Sequence, residues 1–123
     1  MANPNIVNVT SIYGNTTYLI PSTTSATTWT ALTPATGTVN KVDNIVATNV
    51  TASAVAVTVS INSATAGAGT AYRIAYQISV PPNAVLVVTD KSTSFYVGEG
   101  QSVVVTVGTG SAIELVAAYE AIS

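Results

Sequence analysis

The stretch SVPPNAVLVVTDKSTSFYVGEGQSVVVTV, from Ser79 to Val107, holds three short valine-rich runs cut by Pro-Pro-Asn, Asp-Lys-Ser-Thr and Gly-Glu-Gly. The cuts are made of residues that end strands. Proline lacks the ladder donor, glycine supplies positive φ, and Asp, Asn and Ser bond their own backbone in turns. Runs rich in β-branched residues between such breaks predict strands over 84–89, 94–97 and 102–107, joined by tight turns. The charges of this stretch, Asp90, Lys91 and Glu99, all fall in the turns.

Outward from there, period-two runs continue. In AVAVTVSIN, Val55, Val57, Val59 and Ile61 share one face, and Ala54, Ala56, Thr58 and Ser60 share the other, as a half-buried strand requires. In AYRIAYQISV, Tyr72, Ile74, Tyr76, Ile78 and Val80 alternate with Arg73, Ala75, Gln77 and Ser79, which places Tyr72 and Tyr76 in the core. The closing AIELVAAYEAI has a composition that also suits a helix. Glu114 and Glu120 nevertheless lie an even number of residues apart, opposite Ile113, Leu115 and Tyr119, and that spacing predicts a strand.

Toward the N-terminus, NIVNVTSIYGNTTYLI reads as two strands joined by a hairpin at Gly14-Asn15, a dipeptide suited to positive φ. Further strands are expected over 27–32 and 39–49. The second loses its alternation at Asp43-Asn44, the mark of a bulge. The segment 62–70, NSATAGAGT, carries Gly, Ala and Ser without charge and reads as the most flexible loop.

Nine or ten short strands with no amphipathic helix predict an all-β fold, a single antiparallel β-sandwich domain over 1–123. A jelly-roll-like arrangement is preferred to an immunoglobulin-like one, whose Cys-Trp-Cys landmarks are absent, and an open barrel is the alternative.

Composition excludes more than it assigns. With no cysteine and no histidine, the chain lacks disulfides, thiolate metal sites, the usual general base and the commonest metal ligand. Lys41, Arg73 and Lys91 are the only cations, too few for a phosphate-neutralising patch, so no nucleic-acid partner is expected. No apolar run approaches the ~20 residues that span a bilayer, and Met1-Ala2-Asn3-Pro4 lacks a signal peptide's basic start. No membrane partner is expected, and synthesis is expected in the cytoplasm.

Charged residues make up 7% of the chain against a typical ~25%, and the net charge is −2. A soluble monomer ordinarily carries more charge, so repeated association through neutral surfaces is expected.

No residue stands out as catalytic, cofactor-binding or metal-ligating. Serine and threonine hydroxyls abound without a base. The five carboxylates, Asp43, Asp90, Glu99, Glu114 and Glu120, read as solvated turn and strand positions. Asp90 and Glu99 lie in successive turns, where a calcium ion is conceivable, but no dense Asp-x-Asp run supplies its six to eight oxygens. Gly67-Ala68-Gly69-Thr70 lacks the lysine of a phosphate loop.

Asn8-Val9-Thr10, Asn15-Thr16-Thr17 and Asn49-Val50-Thr51 match the glycosylation pattern as a threonine-rich chain does by accident. Tyr13, Tyr18 and Trp29 lie in less regular segments and could form an exposed aromatic platform for a glycan or partner.

The run YRIAYQISVPPNAVLVVTDKSTSFYVGEGQSVVV, the closing YEAIS and the opening NIVNVTSIYGNT resemble small virion structural proteins of tailed bacteriophages, especially marine and cyanobacterial ones. The shared pattern is a strand with Arg73, the Pro81-Pro82 turn, a valine strand, Phe95-Tyr96 and the Glu99-Gly100 turn. Gln101 departs from it, standing where an Asp is expected. The resemblance covers nearly the whole chain and implies a non-enzymatic particle component without cofactor. Its first implication is a capsid decoration (cement) protein on the capsid surface, a homo-oligomer (trimer or dimer) bound to the major capsid protein and other virion proteins. A tail, neck or fibre component, with host-surface or glycan binding, is the alternative.

Overall fold

Val55, Val57 and Val59 point inward and are fully or nearly fully buried, as their alternation requires. They lie on β4 (Val55–Asn62), in a computed structural model that describes Pro4 and residues 8–123. The other strands are β1 (Ile12–Leu19), β2 (Thr27–Thr28), β3 (Val39–Asn49), β5 (Ala71–Val80), β6 (Val85–Thr89), β7 (Phe95–Val97), β8 (Ser102–Val107) and β9 (Ile113–Ile122). The strands expected over 39–49, 84–89, 94–97 and 102–107 are present, and the C-terminal run is a strand rather than a helix.

The strands form two antiparallel sheets, one ordered β1-β9-β3-β6 with β7 also beside β3, the other β2-β8-β4-β5. β6 pairs with residues 45–48 of β3 and β7 with residues 40–42, so the two share one strand position. Counted that way, first pairs with last (β1·β9), second with second-last (β2·β8), third with third-last (β3·β6/β7), and the middle two with each other (β4·β5). A long hairpin rolled over itself gives this pairing, which is the jelly-roll topology. The inner faces meet over Trp29, Ile45, Val57, Val105, Ile113 and Leu115.

Register shifts re-phase the strands. The β3–β9 register shifts between Val42 and Asn44, so Val42 and Ile45, three residues apart, both enter the core. There the Asn44 side chain accepts the Ala118 N–H at 3.1 Å. On β5 the register shifts twice and Gln77 takes a positive φ of 49°, its N–H donated to the Thr58 hydroxyl at 2.9 Å. Simple alternation therefore fails on β5. Tyr76 turns to the side of Arg73, whose guanidinium lies 5.1 Å from its ring centroid, and Tyr72 and Tyr76 are exposed rather than core.

Three further expectations are corrected. β1 runs through Gly14-Asn15 without turning, because β9 offers a partner to every residue from Ile12 (opposite Ile122) to Leu19 (opposite Leu115). The first half of the expected hairpin falls partly on residues 5–7, outside the described residues. The strand expected over 27–32 is two residues long and passes into a 3-10 turn at Thr30–Leu32, which buries Trp29 and Leu32. The glycine-rich loop 63–70 is no loose connection. Asn62 Oδ1 accepts the N–H groups of Ala64 and Gly69, and the Ser102 hydroxyl accepts from Gly67 and donates to the Ala64 carbonyl. The loop thereby covers Val104, which is why β8 is buried on both faces and reads as an unbroken valine run.

Candidate interaction surface

The turns use up much of the chain's scarce charge. Asp90 caps the 3-10 turn Lys91–Thr93, accepting from the Ser92 N–H at 3.0 Å and the Ser92 hydroxyl at 2.6 Å, while Thr93 Oγ1 accepts the Asp90 N–H. These bonds hold its pKa below the usual carboxylate value. Glu99 accepts the Gly37 N–H and so ties the β7–β8 turn to the β2–β3 loop. Gln101, the departure from the resembling pattern, accepts the Gly98 N–H at 2.8 Å and closes that turn with a neutral side chain. Asp90 and Glu99 thus hold separate turns, and among the described residues no three acids converge to hold a metal ion.

Lys41, Asp43 and Glu120 form a cluster of charge on the outer face of the β1-β9-β3-β6 sheet. Glu120 stands opposite Lys41 in register, and the Lys41 ammonium lies 3.9 Å from Asp43. A hydrogen bond with the Asp43 side chain, then partial burial and the Asp43 charge, raise the Glu120 pKa.

Beyond that cluster the same face carries an apolar row. Tyr18 is opposite Val116, Val116 opposite Val46 and Val46 opposite Val87, a row crossing four strands. Tyr18 is 74% exposed and Val87 55%. Thr48 and Val85 continue the patch in the next row, where Glu114 marks its border. Such a side-by-side apolar row on a sheet's solvent face is a feature of contact surfaces.

The sheet edges differ as much as the faces. β2 is two residues long; β5 is bulged twice and carries Arg73; the β6/β7 edge is broken by the Asp90–Thr93 turn. Each is a known device against edge-to-edge pairing. β1 has none of them: eight residues, no charge, no proline and no register shift.

The aromatic platform expected from sequence divides. Tyr13 and Tyr18 are exposed on β1, but Trp29 is 1% exposed inside the core, so the platform expected of the three together is corrected. Tyr119 packs against the core. Sequence reading missed the apolar row. Val46, Val87 and Val116 lie on three separate strands, and their adjacency exists only in the sheet register.

No family model matches the chain, and no curated protein matches it. Among solved structures it is similar to one described as the cryo-EM structure of the giant freshwater prawn Macrobrachium rosenbergii extra small virus (XSV) VLP. The identity is 16%, the match covers 97% of this chain and 84% of that one, and the TM-score is 0.32. At that score the fold rests on the strand pairing of the chain itself.

Proposed function

We propose that this protein is a non-enzymatic structural component of a virus particle, and within that role a capsid decoration (cement) protein that bridges major capsid subunits. The observation that carries the reading is the apolar Tyr18–Val116–Val46–Val87 row on the outer face of the β1-β9-β3-β6 sheet, which ends at the unprotected β1 edge. A freely diffusing monomer gains nothing from such a face, whereas a subunit held in many copies on a particle buries it. The resemblance to small phage virion proteins supports the same reading. So does the allocation of Asp90 and Glu99 to turn structure.

The test is co-sedimentation of the purified protein with decoration-free shells, followed by thermal disruption of the shells. Binding at a fixed stoichiometry with a higher disruption temperature is expected. Absence from shells together with co-purification with tails would move the protein to the tail or neck.

A further inference from the structure

We propose that β1 is a self-pairing edge, at which two copies of this chain join antiparallel across a twofold axis at Asn15 and fuse their sheets into one. The inference deepens the assembly reading above and rests on it only for its biological setting.

Backbone geometry fixes which groups are available. Ser11 and Ser123 exchange both hydrogen bonds, Ser11 N–H to Ser123 O at 3.0 Å and Ser123 N–H to Ser11 O at 2.9 Å. In an antiparallel ladder such pairs alternate with pairs that exchange none. The β1–β9 register continues from there without a shift. Tyr13, Asn15, Thr17 and Leu19 therefore turn their N–H and C=O toward β9, and Ile12, Gly14, Thr16 and Tyr18 turn theirs out of the sheet. Among the described residues β1 pairs with β9 alone.

A second copy of the same strand fits these outward groups. Residues directly opposite in an antiparallel pair share a face, and open groups must meet open groups. Placing Asn15 opposite Asn15 of the second copy meets both conditions. Ile12 then faces the second copy's Tyr18 and Gly14 faces its Thr16, and every outward N–H and C=O of the four residues gains a partner.

Side chains and charge agree with that register. Ile12, 54% exposed, and Tyr18 form an aliphatic–aromatic pair at each end, and the small Gly14 and Thr16 meet near the axis. The strand is uncharged, so two chains of net charge −2 meet there with no like charges opposed.

The chain has no cysteine, so one introduced thiol reports one contact. Asn15 would occupy a non-hydrogen-bonded pair, where Cα atoms lie about 4.5 Å apart, within the reach of a disulfide. Under mild oxidation Asn15→Cys is expected to give a covalent dimer. Tyr13→Cys and Thr17→Cys are expected to cross-link when mixed and not alone. Thr16→Pro deletes an outward N–H that the fold does not use, and is expected to give a folded monomer. Thr17→Pro deletes a β9-facing N–H and is expected to lower Tm.

A wild-type protein that sediments as a monomer at its highest soluble concentration would overturn the proposal. So would folded Asn15→Cys that fails to cross-link, or that cross-links to another virion protein instead of itself. Monomeric protein that still binds shells would sink the edge assignment and leave the assembly role standing, whereas dimeric protein that ignores shells would do the reverse.

Discussion

Lys41 and Glu120 face each other across the β3–β9 ladder, yet the Lys41 ammonium lies 3.9 Å from Asp43, so two acids converge on one cation. The Asp43 bulge creates the conflict, and the Glu120 pKa is raised by its hydrogen bond with Asp43, by burial and by the Asp43 charge. Because the folded chain holds this proton more tightly than the unfolded one, the interaction adds stability in acid, and that stability is lost as pH rises through the raised folded value. Glu120→Gln is therefore expected to be as stable as wild type or more so at neutral pH. Its advantage should shrink as pH falls through the raised folded value and be gone below the unfolded one. Tm measured for both proteins across the acid range checks the sign, and an advantage that grows on acidification refutes it.

Trp29 is buried in the core with no acceptor for its Nε1 among the described residues. An orphaned buried donor costs about 1–3 kcal/mol, which Trp29→Phe would recover against the volume it removes. Trp29→Phe is expected to change stability by less than about 1.5 kcal/mol, and Trp29→Ala to cost about 3–5 kcal/mol. Urea unfolding followed by circular dichroism separates the two.

Asn49 is buried and spends its whole amide on the fold. Nδ2 donates to the Ser53 and Val80 carbonyls at 2.7 and 3.0 Å, and Oδ1 accepts from the Thr51 N–H and hydroxyl at 2.9 and 2.7 Å. Asn49→Ala leaves these partners unmatched, with an expected loss of about 2–3 kcal/mol in chemical denaturation. The same burial predicts that the Asn49-Val50-Thr51 sequon stays unmodified in a glycosylating host, which intact mass would show.

The strands legible in the sequence were those whose alternation matches their burial, as in Val55 to Val59 on β4. β5 misled because its register shifts and the positive φ of Gln77 leave no trace in an apparently regular alternation. Gly14-Asn15 misled for the opposite reason. The dipeptide permits a turn, but a long-range partner, β9, outweighs local preference. The candidate surface was legible only as a shortage of charge, since the row from Tyr18 to Val87 is assembled from four strands distant in sequence.

Gly110 marks where two loops touch: a Cβ there would run into the Ser22 carbonyl oxygen, beside the Ser111 N–H bond to Pro21 O at 2.8 Å. The obstacle is backbone and cannot rotate away. Gly110→Ala is expected to cost about 2 kcal/mol or more, whereas Gly14→Ala, with nothing within 4 Å of the new carbon, is expected to stay within about 0.5 kcal/mol. Equal losses in the two variants, read by thermal denaturation, would contradict the close approach.

Val57 and Val87 are the same residue type on opposite sides of the fold's logic, one fully buried and the other 55% exposed. Val57→Ala opens a core cavity and is expected to cost about 2 kcal/mol, and any weakening of shell binding it causes should follow the loss of folded protein. Val87→Lys removes little buried area and is expected to leave stability within about 0.5 kcal/mol. If the Tyr18–Val87 row docks on the shell, the lysine must be desolvated there, so shell binding should fall by tenfold or more while Tm holds. Co-sedimentation and Tm measured on the same preparations distinguish the cases. Unchanged binding by Val87→Lys would move the contact off this face, to the β1 edge or the opposite sheet.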